Sequence, residues 1–143
     1  MKQYLQHHPW QVIEEGFHPE YHEVSESICS LGNGRFGLRG NFEEDYSGKS
    51  LRGSYFAGVY YPDLTRVGWW KNGYPEYFAK VLNGVNWIGM HITIDGERLD
   101  LAMMKPERFT RTLDMEKGIL TRTFDIRPAS GGILSFSFER FCS

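Results

Sequence analysis

The sequence predicts an all-β fold, an antiparallel β-sandwich, from three observations. Short runs alternate apolar and polar residues with a period of two, the signature of half-buried strands. Turn chemistry such as Asn33-Gly34 and Asp95-Gly96 stands between them at near-regular spacing. Aromatic residues reach 15%, with 10 Phe and 8 Tyr, types that favour a pleated surface. At 143 residues the chain makes one domain, long enough to bury a core.

The first strand is expected at residues 10–17, where Trp10 and Val12 alternate with Gln11 and Ile13 before Gly16 and His18-Pro19 end it. Residues 27–31 read as a strand entering a type I′ turn at Asn33-Gly34, and Phe36 and Leu38 alternate with Arg35, Gly37 and Arg39 on the return. Gly32-x-Gly34-x-x-Gly37 also fits the dinucleotide-binding fingerprint. That reading fails: its helix would hold Gly37 and Gly40 at a cost of about 1 kcal/mol each. Nor does an acidic residue stand at residues 54–58, where the ribose contact belongs. After a polar connection at residues 43–48, residues 54–61 are apolar on both faces, as in a strand buried on both sides.

Residues 62–77 read as a long loop or loose hairpin. Residues 75–84 form either a short helix, with Pro75 in its first turn and Gly84 beyond its end, or a strand through residues 80–82. Ile88, Met90, Ile92 and Ile94 then alternate along a strand, Asp95-Gly96 turns it, and Leu99, Leu101 and Met103 return. A further hairpin joins residues 109–113 to residues 119–126, and a turn at residues 128–132 leads to a last strand over residues 133–141. The chain stops at Phe141-Cys142-Ser143 inside that strand pattern, so we expect a sandwich truncated at this end.

Composition narrows the function. A net charge of −2 and a pI near 6.2 leave no footprint for nucleic acid or an acidic membrane. Cys29 and Cys142 are no disulfide framework and point to a reducing compartment. No apolar run follows Lys2 as in a signal peptide, and none approaches the length of a membrane span. We therefore expect a soluble, cytoplasmic protein.

No assembled active site is visible, and we assign no catalytic, cofactor-binding or metal-binding residue. Glu14-Glu15 and Glu43-Glu44 are adjacent pairs whose members point to opposite faces of a strand, so neither pair can flank one glycosidic bond. Solvated edges or turns are the expected place for them. His7, His8, His18, His22 and His91 show no zinc spacing, and Pro19 between His18 and His22 argues against a helix there. Cys29 reads as a core residue. Arg35 and Arg39 suit anion recognition, but arginines on one strand face also serve edges and interfaces. Trp69, Trp70 and Tyr74, with Tyr77 and Trp87, form either a platform for sugar rings or an apolar core or interface patch. Trp69, Trp70, Tyr74, Arg35 and Arg39 are the candidate sugar or interface contacts.

The stretch Glu26-Ser-Ile-Cys-Ser-Leu-Gly-Asn-Gly-Arg-Phe-Gly-Leu-Arg-Gly-Asn-Phe-Glu-Glu44 resembles a signature near the start of glycoside hydrolase family 65, the maltose, trehalose and kojibiose phosphorylases. Further blocks follow in order: Gly53-Ser-Tyr-Phe-Ala-Gly-Val-Tyr60, Ile94-Asp-Gly-Glu97, Arg111-Thr-Leu-Asp-Met-Glu-Lys-Gly-Ile-Leu-Thr-Arg122 and Glu139-Arg-Phe-Cys-Ser143. The resemblance implies that residues 1–143 are part of an N-terminal β-sandwich of the galactose-mutarotase-like (supersandwich) kind. It implies a larger, glycosyltransferase-type disaccharide phosphorylase, with its general acid and phosphate site in an α/α barrel that this chain lacks. The implied reaction is inverting phosphorolysis of an α-glucoside such as maltose or kojibiose to β-glucose 1-phosphate and glucose. Phosphate is then a co-substrate, and neither metal nor organic cofactor is implied. The implied partners are the barrel, the disaccharide and a second subunit in a homodimer. Alternatives are a stand-alone carbohydrate-binding sandwich or the N-terminal domain of a related, trehalase-like hydrolase.

Overall fold

A computed structural model describes residues 3–64 and 75–143. In chain order, β1 (Leu5–His8) and β2 (Gln11–Glu15) precede a 3-10 turn (Pro19–Tyr21) and α1 (His22–Ile28). Short strands β3 (Leu31–Gly32), β4 (Phe36–Leu38), β5 (Ser54–Phe56), β6 (Tyr60–Leu64), β7 (Tyr77–Val81), β8 (Thr93–Ile94) and β9 (Glu97–Arg98) follow. Three eight-residue strands close the chain: β10 (Glu107–Asp114), β11 (Ile119–Ile126) and β12 (Leu134–Phe141).

The long strands belong to one antiparallel sheet, ordered β1-β2-β10-β11-β12. Alternation along it sends Phe109, Arg111 and Leu113, and Leu120, Arg122 and Phe124, to one buried face, with Arg111 opposite Arg122 and Leu113 opposite Leu120. Phe42, Tyr46, Leu99 and Leu101 pack on that face with Phe109, Phe124 and Ile126. The sheets β3-β4-β5, β6-β7 and β8-β9 are also antiparallel, so the expected all-β sandwich class is the one found.

Several local expectations are corrected. Residues 22–28 are helical, and the strand predicted over residues 27–31 shrinks to Leu31–Gly32. Pro19 opens the 3-10 turn, where its missing N–H costs nothing, so it starts the helical segment instead of forbidding it. The helix buries His22, Ser25 and Glu26 and exposes Val24 and Ile28, so no apolar periodicity announces it. At Gly34 φ is 85°, but the type I′ assignment also needs a positive φ at Asn33, which the described residues show only at Asp95 and Arg108 outside glycine. Instead, Asn33 Oδ1 accepts from the N–H groups of Arg35 (3.0 Å) and Phe36 (3.1 Å), closing an Asx-type loop. Arg35 and Arg39 thus flank β4, and neither is a strand residue.

Residues 54–61 are not one strand buried on both sides: β5 and β6 are separate, with Gly58 at φ 79° between them, and β6 is largely exposed. Residues 77–81 are a strand, not a helix, because β6 offers a ladder from Tyr60 opposite Val81 to Leu64 opposite Tyr77. The Asp95-Gly96 turn has both residues at positive φ (52° and 84°), as type I′ requires, but its strands hold two residues each. Asp100 ends the return early, its carboxylate accepting from the N–H groups of Ser47 and Ala102 while Leu99 and Leu101 enter the core. The hairpin of β10 and β11 and the final strand stand as predicted, and β1 was not foreseen.

Candidate functional site

The glycine-rich stretch borders two distinct environments, a buried ionic layer and an open apolar groove. In the layer, alternation on β2, β10, β11 and β12 turns Glu14, Arg111, Arg122 and Arg140 inward, against α1 and residues 39–46. Arg111 Nε lies 3.2 Å from Glu14 Oε2, and its Nη1 donates to the carbonyl of Gly40 at 3.2 Å. Its Nη2 meets His22 Nδ1 at 3.2 Å. A guanidinium only donates, so Nδ1 accepts and the ring proton sits on Nε2, 3.2 Å from Glu26 Oε1. Glu26 also accepts from Ser50 Oγ and from the N–H of Leu51.

Arg122 donates to both oxygens of Glu44 and to Glu43, and its guanidinium lies 4.2 Å from the Phe42 ring centre and 4.5 Å from that of Phe138. Arg140 pairs with Glu43 and donates to the carbonyls of Arg39 (2.9 Å) and Asn41 (2.7 Å). Gly40 fits this crowding only without a side chain, since a Cβ there would lie 2.7 Å from Cys29 Cβ. Glu14, Glu43 and Glu44 are therefore not the solvated carboxylates expected: each is drawn in by an arginine that alternation had already committed to the interior.

The electrostatics favour the ionised form of the buried carboxylates Glu26 and Glu43. Burial would raise the Glu43 carboxyl, but the charges of Arg122 and Arg140 outweigh it and hold the group below the usual carboxylate range. Burial likewise opposes ionisation of Glu26, and the hydrogen bonds from His22, Ser50 and Leu51 lower it all the same. A general acid for glycoside cleavage needs the opposite shift. Burial pushes the Cys29 thiol up to about 11, away from nucleophilic use, as its core assignment anticipated.

The groove, of ≈390 Å³, lies between the glycine loop and the β6–β7 hairpin, lined by Arg35, Phe36, Tyr55, Phe56, Tyr60 and Val81 among others. Trp87 packs edge-on against Phe36 at 5.2 Å and leans on Phe56 at 6.2 Å. The hairpin ladder sorts its residues by face. Tyr60, Pro62 and Leu64 share one side with Val81, Ala79 and Tyr77, while the other carries Tyr61, Phe78 and the Lys80–Asp63 ion pair at 3.0 Å. The first side has no polar side chain except the Tyr hydroxyls, yet Val81 is 61% exposed, Tyr60 58% and Tyr77 53%. A two-stranded hairpin is marginal on its own and gains stability when such a face is covered.

Of the candidate residues, Arg35 is exposed at the groove. Arg39 is half-buried beside α1, bonded to Ser27 Oγ and absent from the groove lining. Trp69, Trp70 and Tyr74 lie outside the described residues. Tyr77 and Trp87 are exposed on and near the hairpin. Sequence reasoning missed the ionic layer, although its signal was there: Arg111 stands in phase with Phe109 and Leu113, Arg122 with Leu120 and Phe124, and Arg140 with Phe136 and Phe138. Among the described residues no group of three His, Cys, Asp or Glu side chains could hold a metal ion, and no helix is long and apolar enough to cross a membrane.

The family model for the N-terminal domain of glycosyl hydrolase family 65 matches residues 12–143. The chain belongs to this family. It is 51% identical over 118 residues to the maltose phosphorylase of Bacillus subtilis (strain 168), covering 82% of this chain and 16% of that protein. It is 33% identical over 141 residues to the α,α-trehalose phosphorylase of Thermoanaerobacter brockii, covering 94% of this chain and 18% of the relative. A solved structure of a human-microbiome protein provisionally named kojibiose phosphorylase superposes with a TM-score of 0.79 at 38% identity, over 95% of this chain and 18% of that one. The chain thus spans less than a fifth of the length of these family 65 relatives, so further domains lie in those proteins outside the matched region.

Proposed function

We propose that this chain is the non-catalytic N-terminal sandwich of a disaccharide phosphorylase, and that it serves by packing against an α/α barrel catalytic domain. The whole enzyme would carry out inverting phosphorolysis of maltose or a kojibiose-type glucoside, giving β-glucose 1-phosphate and glucose with phosphate as co-substrate. The 51% identity to a maltose phosphorylase favours maltose. The observation that carries the packing role is the apolar side of the β6–β7 hairpin, which stands exposed beside an apolar groove among the described residues. A non-catalytic role is supported by the buried carboxylates, which are paired and, for Glu26 and Glu43, held ionised rather than poised to donate a proton. Arg35 at the groove rim is then an interface residue.

A split-enzyme experiment tests the proposal. The B. subtilis maltose phosphorylase without the portion matched by this chain is expected to gain maltose phosphorolysis when this chain is added, and to bind it. This chain alone is expected to release no β-glucose 1-phosphate from maltose, kojibiose or trehalose. Turnover by the lone chain that a substitution in it abolishes would refute the non-catalytic reading. Absence of binding to the truncated enzyme, together with retention on an immobilised maltooligosaccharide, would favour a carbohydrate-binding module.

A further inference from the structure

We propose that a small polar pocket between residues 43–45 and residues 86–91 binds one neutral sugar ring, a hexose, at a site separate from the apolar groove.

The pocket encloses ≈180 Å³ and is lined by Glu43, Asp45, Arg52, Asn86, Gly89 and His91 among others. Two tethers shape it. The N–H of Met90 donates to the carbonyl of Glu43 at 2.8 Å, holding the 86–91 segment against the chain beyond β4. Asp45 Oδ2 accepts from Arg98 Nε at 2.9 Å and from His91 Nδ1 at 2.8 Å. An ionised carboxylate only accepts, so Nδ1 carries the His91 proton and Nε2 is left without a partner among the described residues. The volume is below the about 300–1,000 Å³ of sites for drug-sized ligands, which suits a single ring.

Charge selects a neutral ligand. Each carboxylate of the lining already has a guanidinium: Glu43 has Arg122 and Arg140, Glu44 has Arg122, and Asp45 has Arg98. A cation would find these groups compensated, and an anion such as phosphate would face three carboxylates. What remains is a mixed set of donors and acceptors. Arg52 is anchored by Nη2, which donates to the carbonyl of Tyr46 at 2.9 Å, and it makes no ion pair at contact distance among the described residues. The Asn86 amide makes no hydrogen bond among them. Gly89 leaves the space that this amide occupies, since a Cβ there would lie 2.7 Å from Asn86 Nδ2. Hydroxyl groups both donate and accept. A sugar can therefore give protons to Asp45 Oδ1 and the Asn86 carbonyl and take them from Arg52 and the Asn86 NH2 group. Met90 supplies an apolar side for the C–H groups of the ring.

A hexose at ordinary ligand efficiency binds in the millimolar range, which nuclear magnetic resonance reads directly. With the whole chain labelled with nitrogen-15, D-glucose is expected to move the Asn86 side-chain signals and the amides of Gly89, Met90 and His91 saturably. Inorganic phosphate and calcium chloride are expected to leave them in place. Asn86→Ala should weaken glucose binding by about ten-fold, the worth of one to two hydrogen bonds. Gly89→Ala, which drives the amide from its place, should do the same, and neither should change the circular dichroism. Maltose carries the same ring at its end: binding equal to that of glucose shows end-on entry, and binding of glucose alone shows a pocket for the free sugar, and either supports the proposal. Absence of a saturable shift would overturn it, as would shifts centred on Phe36 and Tyr55 in the groove. So would a stronger response to phosphate or calcium, or binding indifferent to both substitutions. The split-enzyme assay reads packing and this titration reads the pocket, so each reading can fail alone.

Discussion

Replacing Arg122 by methionine is the sharpest test of the ionic layer. Methionine keeps the unbranched stem and removes the guanidinium. Among the described residues both hydrogen bonds that Glu44 accepts come from Arg122, and the Glu44 side chain is fully buried. Glu43 keeps Arg140, so the damage concentrates on one carboxylate. Removing one partner of a buried pair leaves an uncompensated charge and costs about 3–5 kcal/mol. The stacking of the guanidinium on Phe42 and Phe138 adds about 1 kcal/mol to the loss. For a domain of this length each kcal/mol is roughly 3 °C in Tm, so a fall of roughly 12–18 °C is expected.

The assay is urea and thermal unfolding followed by circular dichroism, with Arg122→Met and Glu44→Leu measured singly and together. The double variant is expected to recover more than half of the single loss, because an apolar pair of similar volume replaces a desolvated ion pair at little cost. An Arg122→Met variant within about 1 kcal/mol of the parent would refute the reasoning and show that water reaches Glu44.

Two further outcomes follow from the same structure. Glu26 and Glu43 sit below the usual range, so their contribution to stability is complete above about 4.5, the unfolded value, and is lost as pH falls from there through their lower folded values; Cys29 keeps its proton to about 11, so its contribution is complete below about 9 and is lost between 9 and 11. Urea midpoints measured across pH should therefore fall on both flanks, and a flat acid flank would contradict the ion-pair assignments. Gly34→Val is expected to lower stability by about 1–2 kcal/mol through its φ of 85° alone, since nothing lies within 4 Å of a Cβ there. Gly40→Ala should cost about 1–3 kcal/mol through contact with Cys29 instead, and equal tolerance of both in thermal melts would refute the distinction.

The long strands were legible because their pattern is written in the residues themselves. Phe109, Leu113, Leu120 and Phe124 recur at period two, and the 114–118 turn between them has Asp114 Oδ1 accepting from the Lys117 N–H. Helix α1 was not legible, since its buried positions are polar and its apolar residues face outward, which inverts the pattern that marks an amphipathic helix. The buried arginines stand in phase with apolar neighbours yet were not assigned to the interior, because arginine is almost never fully buried unless paired, and the pairs join residues 78 to 97 positions apart. Such long-range partners leave no trace in local spacing. The groove was half legible: Arg35 was singled out, but its neighbours Tyr55, Phe56 and Tyr60 were assigned to a buried strand.

These misreadings share one cause, the exchange of polar and apolar roles between inside and outside. The described core spends interior volume on Arg111, Arg122, Arg140, Glu14 and Glu44, while Tyr60, Tyr77, Val81, Trp87 and Phe141 stand in solvent. A buried ion-pair network is a poor source of net stability, but its hydrogen-bond geometry is demanding: α1 and residues 39–46 can sit on the sheet in one register only if every arginine finds its carboxylate and carbonyls. The layer thus fixes how the cover lies on the sheet beside the apolar cluster of Phe42, Tyr46, Leu99, Leu101, Phe109, Phe124 and Ile126. Other large apolar residues stand on the surface, gathered on the hairpin and around the groove. Scattered surface apolar residues need no explanation, whereas contiguous ones mark contact surfaces. The same partition shows how a chain with an ordinary 41% hydrophobic content leaves large apolar residues exposed: among the described residues, buried arginines and glutamates share the interior with the apolar core.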